Sequence, residues 1–255
     1  MLKIENMTMR FGGVIAANKF NVDIEKGQIV GLIGPNGAGK TTIFNVITGV
    51  YRPTEGKVIF NPSEVERDIT GLRPDEIAKL GICRTFQNIR LFKELSVVDN
   101  VFIGNHLIIE SNVFSSVLKL PKYRKEEKEM LDKSIYLLEK VGLEDEKDSK
   151  AHSLPYGMQR RLEIARALAT EPQLLLLDEP AAGMNPQETR ELMGFIEDIK
   201  DEFDLTIFLI EHHMEVVMGI CEEILVLDHG SLIAQGDPGF IQTDSKVIEA
   251  YLGVE

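Results

Sequence analysis

The stretch that most restricts the fold of this chain is Gly34-Pro35-Asn36-Gly37-Ala38-Gly39-Lys40-Thr41, which satisfies the pattern G-x-x-x-x-G-K-[ST]. It directly follows a short, wholly apolar run, Ile29-Val30-Gly31-Leu32-Ile33. A continuous apolar run of that length marks a strand covered on both faces. A strand that passes through a glycine loop into a helix opens an α/β fold. The helix is expected from Lys40 to about Thr48. The loop glycines admit dihedrals that turn successive N–H groups toward one anion, and the helix start adds its positive dipole end. Lys40 supplies a point charge, and the Thr41 hydroxyl can hold Mg²⁺, so the loop reads as a cradle for phosphate groups.

Two further buried-strand patterns follow much later, Leu174 to Leu177 and Thr206 to Ile210. Ionisable residues come at once after each, Asp178-Glu179 and Glu211-His212. In a parallel sheet such ends share one edge, where ligands of open α/β folds bind. Gly34 to Thr42, Asp178-Glu179 and His212 are therefore expected to converge. A carboxylate at Asp178 suits Mg²⁺ held through water, and Glu179 suits a general base that polarises water.

The first 25 residues alternate in short β-type runs (Leu2, Ile4, Met7, Met9; Phe20, Val22, Ile24) around a turn at Gly12-Gly13, which predicts an antiparallel start. From Asn88 to Ser153 the pattern is helical. A charged run from Lys122 to Glu129 leads there into an apolar face of Met130, Leu131, Ile135, Leu138 and Val141. Asp99-Asn100-Val101 reads as a helix start. After Glu223 come a short β pair turning at His229-Gly230 and a small helix near Val247 to Leu252.

Charge excludes some partners. With 28 Lys and Arg against 41 Asp and Glu the net charge is −13, so neither a nucleic-acid groove nor direct docking on an anionic lipid surface is expected. Cys83 and Cys221 stand alone in apolar stretches and are expected to be reduced core residues. Met1-Leu2-Lys3-Ile4-Glu5 has no secretory character, and no apolar run approaches the ~18 residues that would span a bilayer. The expectation is a cytoplasmic protein whose link to a membrane runs through other proteins.

Taken together these residues resemble the ATP-binding cassette ATPases over essentially the whole chain. Gln87 in Thr85-Phe86-Gln87 is similar to the Q-loop glutamine, which contacts Mg²⁺ or water and senses the membrane partner. Leu154-Pro155-Tyr156-Gly157-Met158-Gln159, ahead of a helix expected from Arg160 to Thr170, resembles the signature motif. Ala181 to Asn185 stands in the D-loop, His212 matches the switch histidine, and Phe11 sits where the family places an aromatic against adenine. His213 is expected to be an exposed bystander. The resemblance implies a P-loop NTPase core with an N-terminal antiparallel β subdomain and an inserted α-helical subdomain. The boundaries expected are 1–87 with 154–255 for the core and 88–153 for the helical part.

It implies ATP and Mg²⁺ as ligands. Glu179, His212, Lys40 and Gln87 would be catalytic, and Thr41, Gln87 and Asp178 would stand at the metal. Phe11, Gly34 to Thr42, Leu154, Tyr156, Gly157 and Gln159 would contact nucleotide. The signature residues would act on the ATP of a second ATPase subunit. Two departures stand out: Pro155 replaces the usual signature serine, and Asn185 the usual D-loop aspartate. Both are tolerated in the subfamily this chain is most similar to, the ATPases of branched-chain amino-acid importers. Ser153 to Leu168, Asp178 to Pro186, Ile210 to Met214 and Ala250 to Gly253 carry that likeness. It implies work on the cytoplasmic side of a membrane with two permeases, a second ATPase and, indirectly, an external binding protein. Urea-type import and lipopolysaccharide transport are the related alternatives, and a soluble, non-transport cassette ATPase acting on ribosomes or DNA is the alternative of a different class.

Overall fold

The computed structural model describes residues 1–62, 65–105 and 121–252. Residues 106–120 of the stretch expected to be helical lie outside these, as does Gly253. In chain order the strands are β1 (Leu2–Phe11), β2 (Val14–Ile24), β3 (Ile29–Ile33), β4 (Glu55–Phe60), β5 (Arg67–Asp68), β6 (Ile82–Arg84), β7 (Leu174–Asp178), β8 (Thr206–Ile210), β9 (Glu223–Asp228) and β10 (Ser231–Gly236). The helices are α1 (Lys40–Ile47), α2 (Pro74–Lys79), α3 (Val97–Gly104), α4 (Pro121–Lys140), α5 (Tyr156–Leu168), α6 (Pro186–Glu202), α7 (Met214–Ile220), α8 (Pro238–Thr243) and α9 (Ser245–Leu252). They fall into two units, Met1–Gln87 with Gln173–Glu255, and Asn88–Pro172.

In the first unit a six-stranded sheet runs β10-β9-β3-β8-β7-β6, parallel except for the β9–β10 pair. β3, β7 and β8 are buried along their whole length, as strands inside a parallel sheet must be, which is why they read as unbroken apolar runs. Leu32 of β3 and Asp178 of β7 both pair with Ile210 of β8, so the three carboxyl ends lie level. The chain leaves these strands at Gly34, Glu179 and Glu211, along one sheet edge roughly 10 Å wide.

The second sheet of this unit is antiparallel, in the order β2-β1-β4-β5. Its buried residues change parity, from Leu2 and Ile4 to Met7 and Met9 in β1, and from Ala17 to Phe20, Val22 and Ile24 in β2. A strand can change faces in that way only through an extra residue, and the register shifts between Ile4 and Met7. Asn6 and Lys19 absorb the irregularity at φ 49° and 46°. Asn21 Oδ1 then accepts the Asn6 N–H (2.8 Å) and Thr8 Oγ1 that of Lys19 (3.1 Å). One core joins Leu2, Ile4 and Phe20 to Phe44 and Ile47 of α1 and to Leu174, Leu176 and Phe208. Ahead of the expected C-terminal helix the chain also forms α8, which sequence patterning left unassigned; Asp237 caps it by accepting the Phe240 N–H at 2.9 Å.

The helical unit departs from expectation in four places. It extends to Pro172 rather than Ser153, because α5 packs against α3 and α4. α5 itself starts at Tyr156 instead of Arg160 and ends at Leu168. α3 is capped by Ser96, not Asp99: Ser96 Oγ accepts the Asp99 N–H at 3.1 Å and donates to the Asp99 carboxylate at 2.6 Å. On α4 the buried face is Ser134, Leu137 and Leu138, continued by Val141 just past its end, whereas Leu131 is 41% exposed. Apolarity alone misses Ser134, whose hydroxyl donates to Met130 O (2.7 Å) and accepts from Asn105 Nδ2 (3.0 Å), so that it can be buried without loss.

A buried ion pair also sits in this unit. Arg160 Nη1 lies 2.7 Å from Glu163 Oε2 with both side chains almost wholly covered, and Glu163 Oε1 accepts the Arg90 N–H at 3.0 Å. Removing one member of such a pair leaves the other charge under-compensated. Glu163→Ala is therefore expected to lower unfolding free energy by about 3–5 kcal/mol, read from urea denaturation.

Candidate functional site

The loop after β3 is built as its glycines predict. Gly34, Gly37 and Gly39 have φ of 148°, 81° and 104°. At Gly39 a Cβ would come within 2.1 Å of Ala16 O, so both the backbone angle and the neighbour demand glycine. Gly39 caps α1, whose first turn has no acidic residue to offset its positive end. Lys40 is only 6% exposed, and its Nζ donates to Gly34 O (2.7 Å) and Pro35 O (3.0 Å). Burial pushes its pKa down, while Glu179 and Asp178 pull it back up. Thr41 is exposed and Thr42 half-buried on the same turn.

The expected convergence is present around Glu179. Its Oε2 accepts from Gln87 Nε2 (2.5 Å) and stands 2.8 Å from His212 Nε2. Glu179 itself is in the left-handed region at φ 48°, a conformation that costs roughly 1–3 kcal/mol for a residue with a side chain. The backbone reversal there separates the Glu179 side chain from that of Asp178, the last residue of β7. A carboxylate so held, with a carboxamide and an imidazole on one oxygen, can accept a proton from water beside it.

Asp178 has a partner that the sequence did not announce. Arg84 Nη2 is 2.6 Å from Asp178 Oδ2, with the two side chains 6% and 8% exposed, and Arg84 Nη1 donates to Asn45 Oδ1 of α1 at 2.7 Å. The guanidinium carbon stands over the ring of Phe44 (5.4 Å to the centroid) and over that of Phe86 (5.2 Å). A lone cation in the otherwise apolar Gly81-Ile82-Cys83 approach to Gln87 was the available signal. Glu211, another residue without an assigned role, is fully buried; it accepts from Ala181 N at 2.8 Å and from His212 N at 3.0 Å. His213 is exposed, as expected, and its Nδ1 lies 3.2 Å from Glu211 Oε2.

Other expected residues lie elsewhere. Phe11 is exposed and packs edge-on to Tyr51, ring centroids 5.1 Å apart. Leu154, Tyr156, Gly157 and Gln159 belong to the helical unit. There Pro155 precedes the first turn of α5, and Gly157 is its second residue, with nothing within 4 Å of where a Cβ would stand. The bare first turn is an anion-facing end. Gln159 donates its side-chain amide back to Leu154 O at 2.8 Å. Asn185 explains itself as a cap: its Oδ1 accepts from Gln187 N (2.9 Å) and Glu188 N (3.0 Å), a task an amide performs as well as a carboxylate.

Comparison with known proteins gives the following similarities. Residues 17–182 match the family described as "ABC transporter", and residues 231–255 match "Branched-chain amino acid ATP-binding cassette transporter". The chain is 45% identical to the high-affinity branched-chain amino acid transport ATP-binding protein LivG of Escherichia coli (strain K12), over 99% of this chain and 98% of that one. It is also similar to the crystal structure of the ADP conformation of MJ1267, an ATP-binding cassette of an ABC transporter. There the TM-score is 0.85 with 34% identity, covering 100% of this chain and 99% of the other. The dimeric post-hydrolysis cassette MJ0796 bound to ADP and Pi matches with TM-score 0.75 and 26% identity, over 93% of this chain and 99% of that one.

Proposed function

The chain belongs to the ABC transporter family and is an ATPase of that family, and on this premise we propose that it powers the import of branched-chain amino acids through partner permeases. Two observations support the substrate class. The nearly full-length similarity is to a protein named for branched-chain amino acid transport, and the C-terminal segment 231–255 matches a family of the same description. Among the described residues no helix is long and apolar enough to cross a membrane, so transport needs other subunits to supply the passage. The chain works, on this reading, at the cytoplasmic face of a membrane, on two permeases fed by an external binding protein.

The chemistry is carried by the meeting of Gln87, Glu179 and His212 beyond the ends of β7 and β8. The phosphates of ATP occupy the N–H cradle from Gly34 to Gly39, with Lys40 turning from its loop carbonyls to the β- and γ-phosphates. Glu179 takes the proton of the attacking water, while Gln87 and His212 fix its carboxylate and the water's position. Among the described residues no three His, Cys, Asp or Glu side chains form a metal cage, which fits a cation that arrives with the phosphates. Thr41, Gln87 and Asp178 are oxygen donors suited to Mg²⁺, which would spread the charge of the transferring phosphoryl group. Phe11 packs against adenine. Leu154, Tyr156, Gly157 and Gln159 complete the site of a second ATPase subunit, identical or related, with the first turn of α5 on its γ-phosphate.

The test is uptake of labelled leucine by cells that lack their own leucine importers and are given the cognate permeases and binding protein with or without this chain. Uptake that requires the chain is the expected result. Uptake of urea in the same assembly with none of leucine, isoleucine or valine would overturn the substrate assignment.

A further inference from the structure

Glu211 is a carboxylate at this sheet edge for which the chemistry above has no use, and it is fully buried. Its Oε1 accepts the Ala181 N–H at 2.8 Å, and its Oε2 accepts the N–H groups of His212 (3.0 Å) and His213 (3.2 Å). The His213 ring adds Nδ1 at 3.2 Å. All three backbone partners are donors, two on one oxygen and one on the other. Only an acceptor on both sides satisfies them, which a carboxylate is and a carboxamide is not. The two segments it joins are both functional. Ala181 lies within the turn that starts at Glu179, in which the Ala182 N–H donates to Glu179 O at 3.1 Å. His212 carries the imidazole that meets Glu179.

We infer that Glu211 is a positioning residue for hydrolysis: its buried carboxylate fastens the Ala181 turn behind Glu179 to the His212–His213 segment and so holds the His212 ring against Glu179. This rests on the reading of Glu179 and His212 given above. The link is local and stiff. The Glu179 N–H donates to Ile210 O (2.9 Å), so β7 and β8 are already tied one residue before Glu211 takes over. Across this junction Glu211 joins the Ala181–Asn185 segment, which ends as the cap of α6, to the segment that carries His212.

Replacing Glu211 by Gln puts an NH2 against either the Ala181 N–H or the pair of N–H groups at His212 and His213, and one side must open. A shift of that kind at a reacting group costs roughly 10–100-fold in rate. ATP affinity is expected to stay unchanged, because Glu211 makes no contact with the Gly34–Gly39 loop among its hydrogen bonds. The decisive readout needs no turnover. In protein labelled with ¹⁵N-histidine, the His212 ring signals of Glu211→Gln should move to where Glu179→Ala puts them, since both changes break the same imidazole–carboxylate pair. His213→Ala, which leaves the backbone N–H donors to Glu211 in place, should not move them. Should Glu211→Gln not fold, Glu211→Asp, too short to span both segments, is read by the same criterion. His212 signals unchanged in a folded variant, or a lower kcat accompanied by an equal loss of ATP affinity, would overturn the role of Glu211. If Glu179→Gln left turnover intact, it is instead the hydrolytic reading of the site that fails.

Discussion

Glu179→Gln is expected to reduce ATP turnover by roughly 10²–10⁴-fold, the usual contribution of a positioned general base, with ATP binding retained. The substitution is nearly isosteric, and an amide oxygen can still accept from Gln87 Nε2, which now lies 2.5 Å from the carboxylate. The contact with His212 at 2.8 Å can also persist. What disappears is the capacity to take a proton. Loss of binding along with turnover would mean that the carboxylate supports the loop instead of the chemistry. Steady-state turnover together with titration of a fluorescent ATP analogue separates these outcomes.

Arg84→Met is expected to destabilise the fold by about 3–5 kcal/mol, because it strands the Asp178 carboxylate in a buried place. Asp178 is buried, and Arg84 also supplies Asn45 with a donor and stands over the rings of Phe44 and Phe86. A second substitution, Asp178→Asn, removes the stranded charge and should recover part of that stability, so the two changes are strongly non-additive. Turnover should not return with it, because the double variant lacks the carboxylate proposed for Mg²⁺. Urea denaturation of the two single variants and the double variant measures the first effect, and ATPase assays the second. Additive destabilisation would show that Arg84 stabilises by packing alone.

The parts of the fold that sequence made legible are those whose signal is local. An apolar run long enough to cross a covered sheet, followed at once by a charge, located the ends of β7 and β8, and the glycine spacing located the loop after β3. The antiparallel start was visible in alternating residues, and the parity change from Ile4 to Met7 even records its bulge. The residues that escaped are those whose meaning depends on strand order. Arg84 and Asp178 are brought together because β6 pairs with β7, and nothing near Arg84 in the chain says so. Glu211 was visible as a charge at a strand end, but its three N–H partners are set by the turns after β7 and β8. In the helical unit, Ser134 occupies a core position that an apolar count rejects. α5 begins under the signature-like segment because Pro155 has the fixed φ that suits a helix entrance.

On the proposed reading, ATP is hydrolysed at sites that two chains complete together, Glu179 and His212 from one and the Gly157 turn from the other. The mass of Glu179→Gln measured by light scattering, with and without ATP and Mg²⁺, tests it most directly. Single chains are expected without nucleotide and a stable two-chain species with it, since nucleotide is bound but not consumed. Chains that bind ATP yet remain single at high protein concentration, with purified wild-type turnover independent of concentration, would contradict it.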